Sequence, residues 1–295
     1  MILPIAESIN IMSKTIGPAM KERDAGPIQQ MAIAEAEAGA AYLDVNIGPA
    51  KKTGPEMLPW LVQIIHEVVD LPLSLDTTNS EAMVAGLRAH KKGGRPIVNS
   101  VSCQTERLEA GLKLVKEHNA LMVGLLWGND GMPRDSNERA ALAVDLIYKA
   151  NEIGIPNQDI LIDPIVTPVK GEINQVKACV EFMAMLQDLA PGCKSIVGLS
   201  NVSNGTPDHL RLFLNHTYLL MLQKYGLYSA IVDSYDKVMM DLCKGTDPGI
   251  AEFVSKLMDG ETPDMAGLSE LERRHAKTFN VLTGTSLYSD SWLDI

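Results

Sequence analysis

The sequence has no long hydrophobic run and no concentrated positive charge. Across its 295 residues, no apolar stretch reaches the roughly 18 to 20 residues that a membrane-spanning helix needs. The N-terminal residues MILPIAESIN lack the basic segment and the apolar run of a signal peptide. The formal net charge of −11 repels phosphate backbones and anionic membrane surfaces. We therefore predict a cytoplasmic protein that binds neither nucleic acid nor a membrane.

Cysteine and aromatic side chains are also scarce. The four cysteines are widely spaced and match neither a zinc-binding pattern nor the disulfide framework of a secreted domain, so we expect four reduced thiols. Aromatic residues make up 5% of the chain, which disfavours a cleft that stacks sugar rings. In contrast, 46% of the residues are hydrophobic, enough for the core of one large globular domain.

Eight short apolar runs recur along the chain, and nearly all of them end abruptly in a polar residue. The runs follow one another at intervals of roughly 30 residues, the length of a strand and its returning helix. Helix signals fill the gaps, such as Gly26-Pro27 before a stretch rich in alanine and glutamate that stops at Gly39. This series predicts an α/β fold, a closed (β/α)8 TIM barrel, that occupies residues 1–295 as a single domain.

The segment 245–274 does not follow this alternation of strands and helices. Proline and glycine cluster at both ends of a short amphipathic piece. We interpret the segment as a helical insertion before a last barrel helix that runs from about His275 to Leu282. Whether it acts as a lid, a dimer contact or surface decoration is open.

The predicted strand ends carry carboxylates and amides. In a TIM barrel these ends point into one shared mouth, where barrel enzymes perform their chemistry. The residues concerned are Glu7, Asn46, Asp76, Asn99, Asp163, Asn201 and Asp233. The set contains no histidine, cysteine or lysine, which disfavours a zinc hydrolase and a Schiff-base aldolase.

Several ligands fit such a ring. Asp76, Asp163 and Asp233 leave a magnesium site open, and paired carboxylates leave a glycosidase open. The ring suits best a neutral heterocycle, such as a pterin, that offers several N–H donors along one edge. The loop GLSNVSNG, residues 198–205, supports this interpretation because its small residues let the backbone approach a flat ligand closely.

Seven short motifs together resemble one known family. They are ESIN at 7–10, YLDVNIGPA at 42–50, LDTTN at 75–79, IVNS at 97–100, LIDP at 161–164, GLSNVS at 198–203 and LYSDS at 287–291. In order and spacing they resemble the methyltetrahydrofolate:corrinoid protein methyltransferases. These enzymes are relatives of dihydropteroate synthase and of the folate domain of cobalamin-dependent methionine synthase. The resemblance covers nearly the whole chain except 245–274.

The resemblance implies a pterin-binding barrel, a homodimer, with methyltetrahydrofolate as substrate. The methyl group would move between nitrogen 5 of the folate and the cobalt of a corrinoid that a separate protein carries, and no bound metal is expected. The residues implied for pterin binding are Asp76, Asn99, Asp163, Gly198, Ser200, Asn201 and Asn204. Asn201 and Asp163 would be catalytic, with Asn201 assisting protonation at nitrogen 5. Glu7, Asn46 and Asp233 would support the site.

Some positions depart from the family pattern and leave the partner open. Ser8 stands where one branch has arginine, and Asn204 stands where that branch has glutamine. The partner is then a corrinoid iron–sulfur protein or the corrinoid protein of an O- or N-demethylase system. Two alternatives remain: a dihydropteroate synthase-type enzyme, which the acidic residues 233–236 disfavour, and a non-catalytic barrel that docks a corrinoid protein.

Overall fold

The computed structural model describes residues 1–294 and contains a closed barrel of eight parallel strands in sequence order. The strands are β1 Leu3–Ala6, β2 Tyr42–Asn46, β3 Leu73–Asp76, β4 Ile97–Ser102, β5 Leu121–Leu125, β6 Ile160–Asp163, β7 Lys194–Gly198 and β8 Ser229–Val232. Strand β8 pairs with β1 from Leu3 opposite Ser229, which closes the ring. The predicted (β/α)8 fold is confirmed.

One layer of branched side chains fills the barrel below the mouth. It consists of Ile5, Ile97, Val123, Leu161 and Ile196, all nearly inaccessible to solvent and packed against one another. Branched residues commonly fill the interior of such barrels, and here β1 and the consecutive strands β4 to β7 contribute them. The barrel is therefore solid beneath the strand ends, and a ligand can enter only from the rim.

Helices surround the barrel. They are α1 Ile16–Glu22, α2 Ala25–Glu37, α3 Gly54–Val68, α4 Ser80–Ala89, α5 Thr105–His118, α6 Ser136–Glu152, α7 Val169–Leu189, α8 Asp208–Lys224, α9 Lys237–Lys244, α10 Pro248–Met258 and α11 Glu270–Leu282. Side-chain caps fix several starts: Asn79 Oδ1 accepts a hydrogen bond from the Ala82 N–H, and Asp135 Oδ1 accepts one from the Glu138 N–H. Among residues 1–294, none of these helices has both the length and the apolar character to cross a bilayer.

The C-terminal helices differ from the predicted arrangement in one respect. The sequence places the start of the last helix near His275, whereas α11 begins at Glu270. The reason is local, because Ser269 and Glu272 form a capping box that starts the helix earlier. Helix α9 contacts β1 and α8, while α10 and α11 pack on the outside of α8.

All four cysteines are buried free thiols. Burial raises the pKa of Cys103 and of Cys243 to about 12, so both stay protonated and unreactive at neutral pH. Their reduced state matches the prediction from their spacing.

Candidate active site

Three of the predicted site residues lie side by side at the mouth. In the parallel ladder, Asn46 of β2 is opposite Asp76 of β3, and Asp76 is opposite Asn99 of β4. Asp163 ends β6, in register with Leu125 of β5. The barrel therefore brings residues from distant parts of the sequence to the same level: Asn46, Asp76 and Asp163 end their strands, and Asn99, which lies within β4, is level with Asp76 through the ladder.

Hydrogen bonds tie these side chains into one network. The Asn46 Nδ2 donates to Asp76 Oδ2, and the Asn46 Oδ1 accepts from the Gly48 N–H at 2.9 Å. The Asn99 Nδ2 donates to Asp44 Oδ1 at 3.1 Å. Asn46 thus holds Asp76 in place, and Asn99 is anchored from below by a carboxylate. The site is preorganised before any ligand arrives.

Asp44 is a member of this network that the sequence analysis did not assign to the site. It is only 3% exposed, and its Oδ1 also accepts from the Ser74 Oγ at 2.6 Å. Its signal in the sequence is its position two residues before Asn46, which puts both side chains on the same face of β2.

Burial changes the acid strength of the carboxyl groups at the mouth. It raises the pKa of Asp44 and of Asp163 to about 6, and it raises the pKa of Asp76 well above its ordinary range. Asp76 is further affected by repulsion from the charges of Asp44 and Asp163. Burial of several carboxyl groups together is costly when they are charged, so this cluster is suited to a ligand that offers it further N–H donors.

Asp163 is held by the backbone, and the charge of a buried arginine acts on it. Its Oδ1 accepts from the Ile165 N–H at 2.8 Å. The guanidinium of Arg139, which is fully buried, donates to the Pro164 carbonyl at 2.8 Å and opposes the rise in the Asp163 pKa. Arg139 lies in the first turn of α6, where nothing in the sequence marks it. The catalytic role implied for Asp163 stays a prediction.

The loop after β7 presents an amide to the mouth. Residues Leu199–Ser203 form a 3-10 turn in which Asn201 is exposed. The Asn204 Nδ2 donates to the Asn201 Oδ1 at 3.1 Å, which orients the Asn201 amide and leaves its Nδ2 as a donor. Asn204, predicted to bind the pterin, here contacts Asn201 itself.

Gly198 shows why this loop contains small residues: there is little space between its backbone and the Asn201 amide. A Cβ atom at that position would lie 3.0 Å from the Asn201 Nδ2, closer than side chains normally approach. Only glycine therefore leaves the Asn201 amide in its present position.

The remaining predicted residues, Glu7 and Asp233, lie on the β1 and β8 side. The Glu7 Oε2 accepts from the Ser200 Oγ at 2.9 Å. The Asp233 Oδ1 accepts from the Tyr235 N–H at 2.9 Å, a bond within its own turn. The roles of Glu7 and Asp233 toward a ligand stay predictions.

A cavity of about 370 Å³ opens beside Asp76 and Asn99 and reaches between β4 and the helices α4 and α5. Its size lies in the usual range for small-molecule sites, about 300 to 1,000 Å³, but neither Asp163 nor Asn201 lines it, so this cavity does not by itself define the predicted pterin site. Among residues 1–294, no group of three or more His, Cys, Asp or Glu side chains is arranged to hold a metal ion. The three aspartates considered for magnesium are thus not assembled as a ligand set.

A closed parallel barrel with amides and buried carboxyl groups at the carboxyl ends of its strands has the architecture of the barrel enzymes, whose active sites lie at this face. The family model of the pterin binding enzymes matches residues 13–233. The chain belongs to this family, as the sequence motifs indicate.

Curated relatives refine this assignment. The methylcorrinoid:tetrahydrofolate methyltransferase of Eubacterium limosum is 29% identical over 245 residues, which are 82% of this chain and 89% of that protein. The methionine synthase of Mycobacterium leprae is 30% identical over 242 residues; the match spans 78% of this chain but only 20% of that much longer protein. These relatives confirm the predicted class of enzyme, a methyltransferase.

Solved structures confirm the fold. Dihydropteroate synthase from Xanthomonas albilineans with 4-aminobenzoic acid superposes with a TM-score of 0.64 at 20% identity and covers 84% of this chain and 92% of that one. The enzyme from Vibrio fischeri gives the same TM-score at 12% identity.

Proposed function

We propose that this enzyme transfers a methyl group between nitrogen 5 of methyltetrahydrofolate and the cobalt of a corrinoid carried by a separate protein. The observation that carries the proposal is the network in which Asn46 holds Asp76 while Asp44 holds Asn99. A pterin edge, with an amino group next to a ring N–H, supplies further donors to the carboxylates of Asp76 and Asp163, beyond the Asn46 amide and the Ile165 N–H.

The role of Asn201 follows from the chemistry at nitrogen 5. A tertiary amine is a poor leaving group, so the methyl group leaves readily only as nitrogen 5 gains a proton or a strong hydrogen bond. The Asn201 Nδ2, oriented by Asn204, is the donor that we assign to this atom. Removal of one such donor typically costs about 3 to 4 kcal/mol in the transition state.

The name of the Eubacterium limosum relative supports a corrinoid partner for this chain. We propose either a corrinoid iron–sulfur protein or the corrinoid protein of an O- or N-demethylase system. The acidic turn at Asp233 disfavours the dihydropteroate synthase reaction, which must bind pyrophosphate near this rim.

We further propose a homodimer and a cytoplasmic location. Two exposed apolar side chains one turn apart on α6, Val144 and Tyr148, support self-association. The four free thiols support a reducing compartment. Analytical ultracentrifugation of the wild type and of a Tyr148→Glu variant tests the dimer, which the variant is expected to dissociate.

The test of the reaction uses purified protein, methyltetrahydrofolate and free cob(I)alamin, with the cobalt spectrum as readout. We expect the cobalt(I) bands to be replaced by those of methylcobalamin. Calorimetric binding of the folate without any spectral change, also with candidate corrinoid proteins, would indicate the non-catalytic barrel. Absence of folate binding would refute the pterin site.

A further inference from the structure

One contact at the mouth joins the first strand to the loop that carries Asn201. The Glu7 Oε2 lies 2.9 Å from the Ser200 Oγ, although the two residues are 193 positions apart in sequence. Ser200 directly precedes Asn201 in the 3-10 turn Leu199–Ser203. Closure of the barrel through β8 is what brings β1 close to this turn. A carboxyl group thereby contacts the residue that directly precedes Asn201, the residue that we assign to nitrogen 5.

The surroundings of Glu7 favour its protonated form. The charged groups that face it are Asp233 after β8, Asp44 on β2, Arg211 on α8 and, farther off, Glu35 on α2. Burial raises the pKa of Glu7 to about 7; the hydrogen bond from Ser200 and the charge of Arg211 oppose this rise, and Asp233 and Asp44 add to it. At neutral pH a large fraction of Glu7 therefore carries a proton, unlike an ordinary glutamate.

The reaction, which rests on the function proposed above, has to move a proton. When the bond between nitrogen 5 and the methyl carbon breaks, its electron pair stays on nitrogen 5, which takes up a proton. Cobalt(I) supplies the electron pair of the new bond to the methyl group. The Asn201 amide can donate a hydrogen bond but does not release its proton at neutral pH. Another group must therefore supply the proton, and remove it in the reverse direction.

We propose that Glu7 is a positioning residue that supplies this proton through the Ser200 hydroxyl. When Glu7 is ionised, its carboxylate accepts a hydrogen bond from the Ser200 hydroxyl. Protonated Glu7 instead donates to the Ser200 oxygen, which turns the Ser200 proton toward the mouth. The Glu7 proton moves to the Ser200 oxygen, and the Ser200 proton moves through a water molecule to nitrogen 5. Glu7 is left as a carboxylate and regains a proton from solvent.

The test compares single-turnover methyl transfer from methyltetrahydrofolate to cob(I)alamin across pH in wild type and Glu7→Gln. Glutamine keeps the size and the hydrogen bond of Glu7 but cannot release a proton. We expect the wild-type rate to fall as pH rises through about 7, because the protonated form is the donor. Glu7→Gln should be at least about tenfold slower at low pH and lack this inflection, with a folate Kd within about threefold of wild type.

Three further variants make the result specific. Ser200→Ala should also lose the inflection, and Ser200→Thr, which restores a hydroxyl, should recover it. Glu35→Gln is the matched control, because burial raises the pKa of Glu35 to about 7 as well, yet its carboxylate bonds to Ser8 rather than to Ser200. It should keep the wild-type inflection.

The proposal is overturned if Glu7→Gln keeps the wild-type pH profile, or if its rate and folate affinity fall by the same factor. It is also overturned if Ser200→Thr behaves like Ser200→Ala. A wild-type protein that binds folate but never transfers a methyl group would refute the proposed function instead, so the two failures are distinguishable.

Discussion

The two sides of the barrel mouth are built differently. On the β2, β3 and β4 side, the polar side chains bond to one another and are largely buried, as in the pair of Asn99 and Asp44. On the β7 side, Asn201 and Asn204 are exposed on a tight turn. The first side is rigid and suited to hold a ring edge, whereas the second leaves a donor accessible. The difference suggests that binding and chemistry depend on separate residues, and substitutions can test this separation.

The largest expected effect is on binding, from Asp76→Asn. The amide keeps the shape and the bond to Asn46 but loses the charge that accepts two N–H donors. We expect methyltetrahydrofolate affinity to fall about a hundredfold, equivalent to about 3 kcal/mol, as measured by calorimetry. Asp233→Asn on the other side is the matched control and should change the Kd by less than about threefold. Equal losses of folate affinity in both variants would contradict the assignment of binding to the β2, β3 and β4 side of the mouth.

The next largest effect is on rate, from Asn201→Ala. Loss of the donor assigned to nitrogen 5 should slow methyl transfer by roughly a hundredfold while the folate Kd weakens only modestly. Asn204→Ala removes only the group that orients Asn201 and should cost about tenfold in rate. Stopped-flow spectra at saturating folate give both numbers. If Asn201→Ala lost folate affinity by the same factor as rate, Asn201 would belong instead with the residues of the β2, β3 and β4 side, which hold the ring edge.

A smaller effect is expected from Gly198→Ala, which adds a single methyl group behind the Asn201 amide. Because the new Cβ would lie 3.0 Å from the Asn201 Nδ2, the amide must move, and we expect the rate to fall about tenfold with thermal stability nearly unchanged. Gly267→Ala is the control, since its Cβ meets no atom within 4 Å. An unchanged rate in Gly198→Ala would indicate that the position of the amide does not matter.

The smallest expected effect is the dependence of stability on pH. Burial raises the pKa of Glu35 to about 7 and that of Asp44 to about 6, so the folded protein binds protons that the unfolded chain releases. The resulting stability is fully present below the ordinary carboxyl pKa and is lost as pH rises through these raised values. The Tm of the ligand-free protein should therefore fall from about pH 5 to about pH 8. Asp44→Asn should flatten this slope, and a Tm that rises with pH would contradict the burial of these carboxyls.

Much of the fold could be predicted because it depends on local pattern. The eight apolar runs indicate the eight strands, and the predicted end points Asp76 and Asp163 are the last residues of theirs, whereas β4 continues past the predicted end at Asn99 to Ser102, with an irregular register between Val98 and Val101. The start of α11 was misplaced because a capping box of two residues outweighed the general spacing. Ser269 and Glu272 have the spacing of a capping box, so the start of α11 could have been predicted from the sequence.

The hidden part of the site could not be predicted from strand ends. Asp44 lies one layer deeper, within a run of apolar residues, and its importance depends on Ser74 and Asn99 from other strands. Arg139 acts from α6 on the backbone next to Asp163, a contact that only the tertiary structure reveals. A single sequence shows which residues reach the rim but not which residues support them.

The most direct test of the account is a crystal structure with methyltetrahydrofolate bound. We predict that the amino edge of the pterin contacts the carboxylates of Asp76 and Asp163, with Asn99 beside them and the Asn201 Nδ2 within hydrogen-bond distance of nitrogen 5, about 3 Å. A pterin bound outside the mouth, or with nitrogen 5 turned away from Asn201, would contradict it.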